Sequence, residues 1–278
     1  MGYVTLRPRR HGPHPSTVNP DLVAAYADAT ADDTPAVRTG AAVPVVFPIV
    51  LVFHAGDDAR ADLPEQIWQR VRGGVHGEHD VVVNRPLRPG DRIETWTSIS
   101  AVRTIKPGTQ VVVHFEHVGP VGFVAVEQWW TMILLGLDGV EDLGEMPADH
   151  RFPASALRHP LGERVQHVPV HTAERYAQVS GDWSAHHFDI AVARAEGFDF
   201  LFNHGLCTMA MCIHRVLDIA GIGDPARVRR AAVRFASPMP LGGDVRVRAY
   251  RADRDVVVFD ASSDGENVVT HGRLEFSS

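Results

Sequence analysis

One segment of the chain, residues 180–208, concentrates side chains that can move protons. Its sequence is SGDWSAHHFDIAVARAEGFDFLFNHGLCT. Carboxylates and imidazoles placed together can take a proton from a water molecule and return one near neutral pH. Asp182 and His187 flank a tight turn, five residues apart, so both side chains can reach one water. We therefore predict that Asp182 and His187 form an acid–base pair, and either is a candidate for the base.

Other polar residues of this segment have simpler explanations. Asp189 precedes the helix-like run IAVARAEGF and suits an N-cap. His204 stands just before an apolar helix, where its ring can satisfy backbone groups. His186 is expected to face away from His187, because successive side chains alternate in an extended segment.

Residues of the same segment also fit two alternative chemistries. Asp182, His186, His187 and Asp189 carry ligand atoms for zinc or iron. Adjacent histidines on a loop rarely point at one ion, and the HExxH spacing is absent, so we predict no metal. Cys207 at a helix start is a candidate nucleophile, but a cysteine in an apolar helix is usually core packing.

Composition places the chain among soluble globular proteins. Its 278 residues are 45% hydrophobic and 22% charged, with a net charge of −7. The acidic balance disfavours nucleic-acid binding. Two cysteines, Cys207 and Cys212, form no disulfide framework, which favours a reducing cytoplasm. The N-terminal stretch MGYVTLRPRRHGPHPS lacks the apolar run of a signal peptide, and the longest apolar stretch, 41–53, is short of the ~20 residues of a membrane helix.

Two short motifs recur along the chain at nearly the same offset. YADATADD, with Tyr26 and Asp32, precedes YAQVSGDW, with Tyr176 and Asp182, by 150 residues. The Gly-Asp pair at 90–91 recurs at 243–244, an offset of 153. A duplicated domain explains both offsets; chance similarity between short motifs is the alternative.

Each half contains the same kinds of predicted element in the same order. The expected helices cover 20–31, 45–53, 171–179 and 205–220. The expected strands cover 80–84, 91–101, 110–117, 122–135, 229–235, 244–252, 255–262 and 268–276. An apolar helix followed by alternating strands predicts an α+β fold in which an antiparallel sheet wraps a helix. We expect units at 1–137 and 167–278, joined by a proline-rich linker at 138–166.

The motif around Asp182 resembles the MaoC-like hydratases, also called hydratase 2 or (R)-specific enoyl-CoA hydratases. Their pattern is S-G-D-x-N-P-[LI]-H-x-D-x-x-x-A, followed by G-F and H-G. The matching residues are Ser180, Gly181, Asp182, His187, Asp189, Ala193, Gly197, Phe198, His204 and Gly205. His76-Gly77-Glu78, followed by RPLRPGD, also resembles the first half of the two-copy members. The resemblance implies a double hot dog fold whose first copy has lost its catalytic pair.

The resemblance assigns roles to matching positions only. It implies that Asp182 and His187 are catalytic, and that Gly205 binds the thioester carbonyl through its backbone N–H. His204 and Ser184 are expected to help bind substrate. Ser184 and Ala185 depart from the Asn and Pro of the pattern, and serine is a shorter hydrogen-bonding group than the asparagine that orients the water. In the first copy Val37 stands where His187 would be, so we predict one active site per chain.

The function implied is reversible hydration of trans-2-enoyl-CoA to (3R)-3-hydroxyacyl-CoA, or dehydration of a 3-hydroxyacyl group on CoA or a carrier protein. The CoA thioester is then the substrate, and no cofactor is expected. A non-catalytic acyl-CoA-binding partner in a heteromeric hydratase is an alternative, and a hot dog thioesterase is another. The exposed sheet edges of hot dog units favour a homodimer.

Overall fold

The computed structural model describes residues 4–51 and 53–277. The α-helices are α1 (Pro20–Ala29), α2 (Pro35–Arg38), α3 (Phe53–Arg60), α4 (Glu65–Trp68), α5 (Thr172–Ser180), α6 (Ile190–Ala195) and α7 (Gly205–Ala220). The strands are β1 (His11–Thr17), β2 (Gly73–Val83), β3 (Arg92–Thr104), β4 (Gly108–Val118), β5 (Val124–Leu135), β6 (Leu143–Gly144), β7 (Pro160–His167), β8 (Val228–Phe235), β9 (Asp244–Asp253), β10 (Val256–Ser263) and β11 (Glu266–Phe276). Short 3₁₀ helices occupy Phe47–Leu51, Ala154–Arg158, Ala185–His187 and Pro225–Arg227.

The strands form one antiparallel sheet, and the strand order of its N-terminal half is repeated in its C-terminal half. Its path is β1-β3-β4-β5-β2-β8-β11-β10-β9-β7, and the short β6 pairs with β3. The N-terminal strands therefore follow the order β1-β3-β4-β5-β2, and the C-terminal strands repeat it as β7-β9-β10-β11-β8. The two halves meet where β2 pairs with β8, with Asp80 opposite Ala232. This is the double hot dog arrangement that the sequence predicted.

The C-terminal sheet wraps α7 as expected. In β9, Val245, Val247 and Ala249 are buried on the face towards the core, and the residues between them are more exposed. Helix α7 has the predicted bounds and ends at Gly221, whose φ of 68° is the left-handed conformation that glycine adopts without strain. It is apolar on most sides because the sheet surrounds it.

The N-terminal half lacks an equivalent long helix, and the helix predicted at 45–53 was wrong. A 3₁₀ helix covers Phe47–Leu51, and α3 starts only at Phe53; Val52 lies outside the described residues. Pro48 explains the interruption, since proline provides no N–H for a helical hydrogen bond. Helix α3 packs Ala55 and Ala59 into a second core against the N-terminal sheet.

The sequence also missed the two outer strands. β1 contains Pro13 and Pro15, and proline is tolerated at a sheet edge, where no neighbour needs its N–H. β7 is largely exposed and so lacks an alternating hydrophobic pattern. It begins at Pro160, inside the predicted linker 138–166, and pairs with β9 of the C-terminal sheet. The division into units remains a prediction, but the hydrogen bonds of β7 place this strand in the C-terminal half of the sheet.

A buried ion pair fastens the seam between the halves. The guanidinium of Arg230 on β8 lies 2.6 Å from the carboxylate of Asp80 on β2, and it also donates to the backbone oxygen of Ala148 at 2.6 Å. Burial raises the pKa of Asp80, and Arg230 opposes that rise. On the helical side, Tyr26 and Tyr176, the tyrosines of the repeated motif, pack with ring centres 6.0 Å apart.

We predict that Arg230→Ala lowers the free energy of unfolding by about 3 kcal/mol, because it leaves the buried Asp80 carboxylate unpaired. Urea denaturation of the purified protein measures the effect. Arg246→Ala, which breaks a half-exposed ion pair with Glu163, is the matched control and should cost less than about 1 kcal/mol. Equal losses in the two variants would show that the seam pair has no special contribution.

Candidate active site

The candidate residues lie on a loop that leaves the end of α5. Gly181 caps α5 with a φ of 78°, which turns the chain sharply towards Asp182. The next residues form the 3₁₀ helix Ala185–His187, and Asp189 caps α6 by accepting a hydrogen bond from the backbone N–H of Ala191 at 2.8 Å. Asp189 therefore has the capping contact expected from the sequence.

The structure brings Asp182, His187 and His204 together. Side-chain oxygen and nitrogen atoms of these three residues all lie within 4.8 Å of one another. His187 and His204 are buried, while the Asp182 side chain keeps 22% of its exposure. A water molecule can therefore be shared by the carboxylate and the imidazole of the predicted pair.

Ser184 orients the Asp182 carboxylate. Its Oγ donates a hydrogen bond to Asp182 Oδ1 at 2.6 Å, and its backbone N–H donates to the same oxygen at 3.1 Å. Two donors hold one carboxylate oxygen, so the other oxygen is available to a ligand. This contact gives Ser184 a positioning role; a direct contact with substrate stays a prediction.

The surroundings of His187 set its protonation. Nδ1 lies 2.9 Å from the backbone oxygen of Phe202, and since a carbonyl can only accept, Nδ1 carries the proton. Nε2 then carries the lone pair of the neutral ring. Burial, with smaller contributions from His204 and His186, lowers the pKa of His187 to about 2. The ring is therefore a neutral proton acceptor at physiological pH.

His204 supports both members of the pair. Its Nε2 donates to the backbone oxygen of Asp182 at 3.0 Å and lies 4.0 Å from that residue's Oδ2. Its ring packs over His187 with centres 3.7 Å apart. Nδ1 of His204 is buried and has no hydrogen-bond partner among the described residues. Burial lowers the pKa of His204, so this ring is also held towards its neutral form.

The expectation that His186 faces away from His187 was wrong. Nε2 of His186 lies 3.1 Å from Nε2 of His187, and its Nδ1 lies 3.0 Å from a carboxylate oxygen of Glu196. The expectation assumed an extended chain, but residues 185–187 form a 3₁₀ turn, in which consecutive side chains do not alternate. Glu196 follows α6 and gave no signal in the sequence.

Gly205 is the first residue of α7 and directly follows His204. The N–H groups of a helix's first turn have no acceptor within the helix and lie at its positive end. A Cβ atom at residue 205 would lie 3.3 Å from Cε1 of Phe235, so glycine relieves crowding as well as opening the backbone to a ligand.

In the first half of the chain, buried side chains fill the region that corresponds to the candidate active site. Asp32 is buried and accepts the Thr34 N–H at 2.9 Å, as Asp182 accepts the Ser184 N–H. Val37 is buried and carries no imidazole, in line with the sequence. Nδ1 of His214, from α7, instead lies 3.2 Å from Asp32 Oδ2. His214 was not predicted from the sequence, although a lone histidine in an apolar helix is a visible signal.

Two other features bear on access and on nucleophilic chemistry. An open recess of about 640 Å³ lies outside the loop 181–189, lined by Glu174, Gln178, Trp183, Ala185, Phe188 and Asp189. Trp183 packs on Phe188 there while remaining 57% exposed.

Cys207 is fully buried, and burial raises the pKa of its thiol to about 12, so it is no thiolate nucleophile. No helix among the described residues is long and apolar enough to cross a membrane.

Comparison with known proteins identifies relatives of this chain. The model of the MaoC like domain family matches residues 152–272. The peroxisomal multifunctional enzyme type 2 of Mus musculus is 32% identical over 179 residues, which is 64% of this chain and 24% of that protein. The Drosophila melanogaster enzyme of that name is 26% identical over 187 residues, 64% of this chain and 30% of that protein. The chain thus spans less than a third of these relatives.

Solved structures support the fold. A MaoC-like dehydratase from Phytophthora capsici superposes with a TM-score of 0.83 at 22% identity, covering 98% of this chain and 96% of that one. A Mycobacterium tuberculosis protein described as a double hotdog fold superposes with a TM-score of 0.59 at 16% identity, covering 98% and 96%. At such identities the likeness establishes the fold alone.

We predict that protein purified without added metal carries no stoichiometric zinc or iron. Asp182, His187 and His204 have the right atom types, but the two rings lie one over the other, tilted by 33°, so their in-plane lone pairs do not converge on one ion. Elemental analysis by mass spectrometry tests this. One equivalent of metal, with catalytic activity lost to a chelator, would overturn it.

Proposed function

Since residues 152–272 form a MaoC-like domain, we propose that the protein is a hydro-lyase that reversibly adds water to trans-2-enoyl-CoA and gives (3R)-3-hydroxyacyl-CoA. The observation that carries this proposal is the Asp182 carboxylate beside a neutral His187, next to the N-terminus of α7. Hydration of an enoyl thioester needs a group that holds the water, a group that accepts its proton and a hydrogen-bond donor for the developing oxyanion. Asp182, His187 and the N-terminus of α7 can fill these three roles in that order.

The acid–base pair supplies the proton transfers. Nε2 of His187 takes a proton from the water as its oxygen bonds to C3, and the π electrons of the C2=C3 bond move towards the thioester carbonyl. The enolate then collapses as C2 takes up a proton from the pair, so the elements of one water are added overall. The free oxygen of Asp182 holds the same water in line with C3. The reverse sequence is dehydration.

The backbone of Gly205 suits the thioester oxygen. Negative charge grows there as C3 is attacked, and an N–H at the start of α7 donates to it with the positive end of the helix behind. A preorganised donor of this kind typically contributes about 3 kcal/mol to transition-state stabilisation. The glycine lets the carbonyl approach closely.

CoA is the proposed carrier and is part of the substrate, so the reaction as proposed needs no cofactor. A 3-hydroxyacyl group on an acyl carrier protein is the closest variant, since the reacting atoms are the same. We propose a cytoplasmic location and a homodimer, the latter because β1 and β7 leave open sheet edges. The proposal covers the hydratase reaction alone, because the chain spans only part of its multifunctional relatives.

A non-catalytic acyl-CoA-binding partner is the second candidate. Ser184 and Ala185, in place of Asn and Pro, are the observations that favour it. The bond of 2.6 Å from Ser184 to Asp182 opposes it, because the serine still performs an orienting function.

We predict that Asp182→Ala and His187→Ala each lower kcat for hydration of a 2-enoyl-CoA by about 10²–10⁴-fold, because each removes one partner of an acid–base pair. The double variant should be little slower than either single one, since the two groups act on one water. Loss of enoyl absorbance measures the rate, and circular dichroism checks the fold. Wild-type rates in His187→Ala would leave the acyl-CoA-binding partner as the better proposal.

We predict that Ser184→Ala lowers kcat by about 10-fold or more, since a hydrogen bond to a charged group contributes about 1.5–3 kcal/mol. Ser184→Asn should retain most of the activity, because an amide N–H can replace the hydroxyl as donor to Asp182. The same absorbance assay compares the variants. If Ser184→Ala is as fast as the wild type, the orienting role of Ser184 is refuted.

A further inference from the structure

His186 stands at a position where the family pattern has Leu or Ile. An aliphatic residue there could only pack, whereas His186 makes two polar contacts. Its Nε2 is 3.1 Å from Nε2 of His187, and its Nδ1 is 3.0 Å from Glu196 Oε2. These contacts form a chain from the proton acceptor of the site to a carboxylate that is 44% exposed.

The positions of the protons follow from the partners. Nδ1 of His187 donates to the Phe202 carbonyl, so Nε2 of His187 is an acceptor. The contact of 3.1 Å is then a hydrogen bond only if Nε2 of His186 carries a proton. The contact with the Glu196 carboxylate requires a proton on Nδ1 of His186 as well. Both contacts together therefore describe a doubly protonated, cationic His186.

Doubly protonated His186 donates a hydrogen bond to the lone pair on Nε2 of His187. The proposed reaction needs that lone pair to accept a proton from water. A neutral His186 keeps its Nδ1 proton on the Glu196 carboxylate, and its Nε2 then presents a lone pair to that of His187. The two lone pairs repel, so Nε2 of His187 becomes available to water. We propose that His186, paired with Glu196, is a positioning residue that blocks the proton acceptor of the site when it is protonated and releases it when it is neutral. This inference rests on the proposed hydratase function.

The sign of the resulting pH dependence is definite. As the pH falls, His186 gains its second proton, Nε2 of His187 is capped, and the rate declines. Burial lowers the pKa of His187, so protonation of that ring is expected only at lower pH. A decline near neutrality is therefore assigned to His186, and the variants below separate His186 from Asp182 and His204.

Among the described residues, three titratable side chains interact with His186. Its own 3₁₀ helix contributes His187, the residue after α6 contributes Glu196, and the residue before α7 contributes His204, which also interacts with Asp182. The Phe202 ring stacks on His186 with centres 5.3 Å apart and carries no charge. Glu196 is the carboxylate in contact with His186, so its removal should make the second protonation harder.

The test compares pH profiles of kcat/KM for a 2-enoyl-CoA. In Glu196→Gln the acid limb should move to lower pH, because the carboxylate that accepts the Nδ1 proton of His186 is lost. In His186→Leu it should move further down, and the rate below neutrality should exceed that of the wild type. His167→Leu removes an exposed histidine that is paired with Asp244 at the sheet edge, and it should leave the profile unchanged. An acid limb that stays in place in His186→Leu would refute the proposal.

A measurement without substrate separates this inference from the proposed function. Nitrogen NMR of the histidine rings should show the Nε2 signal of His187 shifting as His186 titrates, and that shift should move to lower pH in Glu196→Gln. If the Nε2 signal of His187 does not shift while His186 titrates, the contact between the two rings is refuted, even if the protein is an active hydratase. The expected coupling in a protein that hydrates no enoyl-CoA would uphold the contact and refute the hydratase proposal.

Discussion

The antiparallel pairing of β2 with β8 is the constraint on which the rest of the molecule depends. β2 and β8 are the inner edge strands of the two halves, and the backbone N–H and C=O groups along such an edge need hydrogen-bond partners. The two strands provide these partners for each other. The pairing joins the two halves edge to edge, and they are also held together by Arg230 with Asp80 on one face of the sheet and by Tyr26 against Tyr176 on the other. The loop 181–189 after α5 is thereby placed beside the first half, and helix α7 reaches Asp32 of that half through His214.

Burial then determines the chemistry of the site. An exposed histidine would be partly protonated near neutrality, but desolvation keeps His187 neutral, and the Phe202 carbonyl fixes which nitrogen carries the proton. Asp182 remains partly exposed and keeps two donors on one oxygen, which suits a carboxylate. The same polypeptide thus supplies a neutral acceptor and a charged partner a few ångströms apart. In the first half, Asp32 has similar backbone support but lies under His214, so the duplicated motif there serves packing.

The sequence predicted the features that depend on local pattern and missed those that depend on tertiary contact. The bounds of α7 follow from a long apolar run with a glycine after it, and the strands of both sheets follow from alternation. The edge strands β1 and β7 were not predicted, because prolines in β1 and exposed residues in β7 leave no alternating hydrophobic pattern. The gathering of Asp182 and His187 was expected from the motif, and the structure places them together. The contacts of His186 with Glu196 and of His214 with Asp32 could not be predicted, because each joins residues whose proximity only the folded chain creates.

The bond from His204 to the backbone oxygen of Asp182 joins two points that are 22 residues apart in sequence. It ties the start and the end of the excursion that contains α6, so that the two ends stay fixed whatever the chain does between them. Closing a longer loop costs little extra entropy once its ends are held. Insertions and sequence drift are therefore best tolerated beyond Glu196, at the exposed residues Asp199 and Phe200, where related chains could diverge in length without disturbing Asp182 or His187.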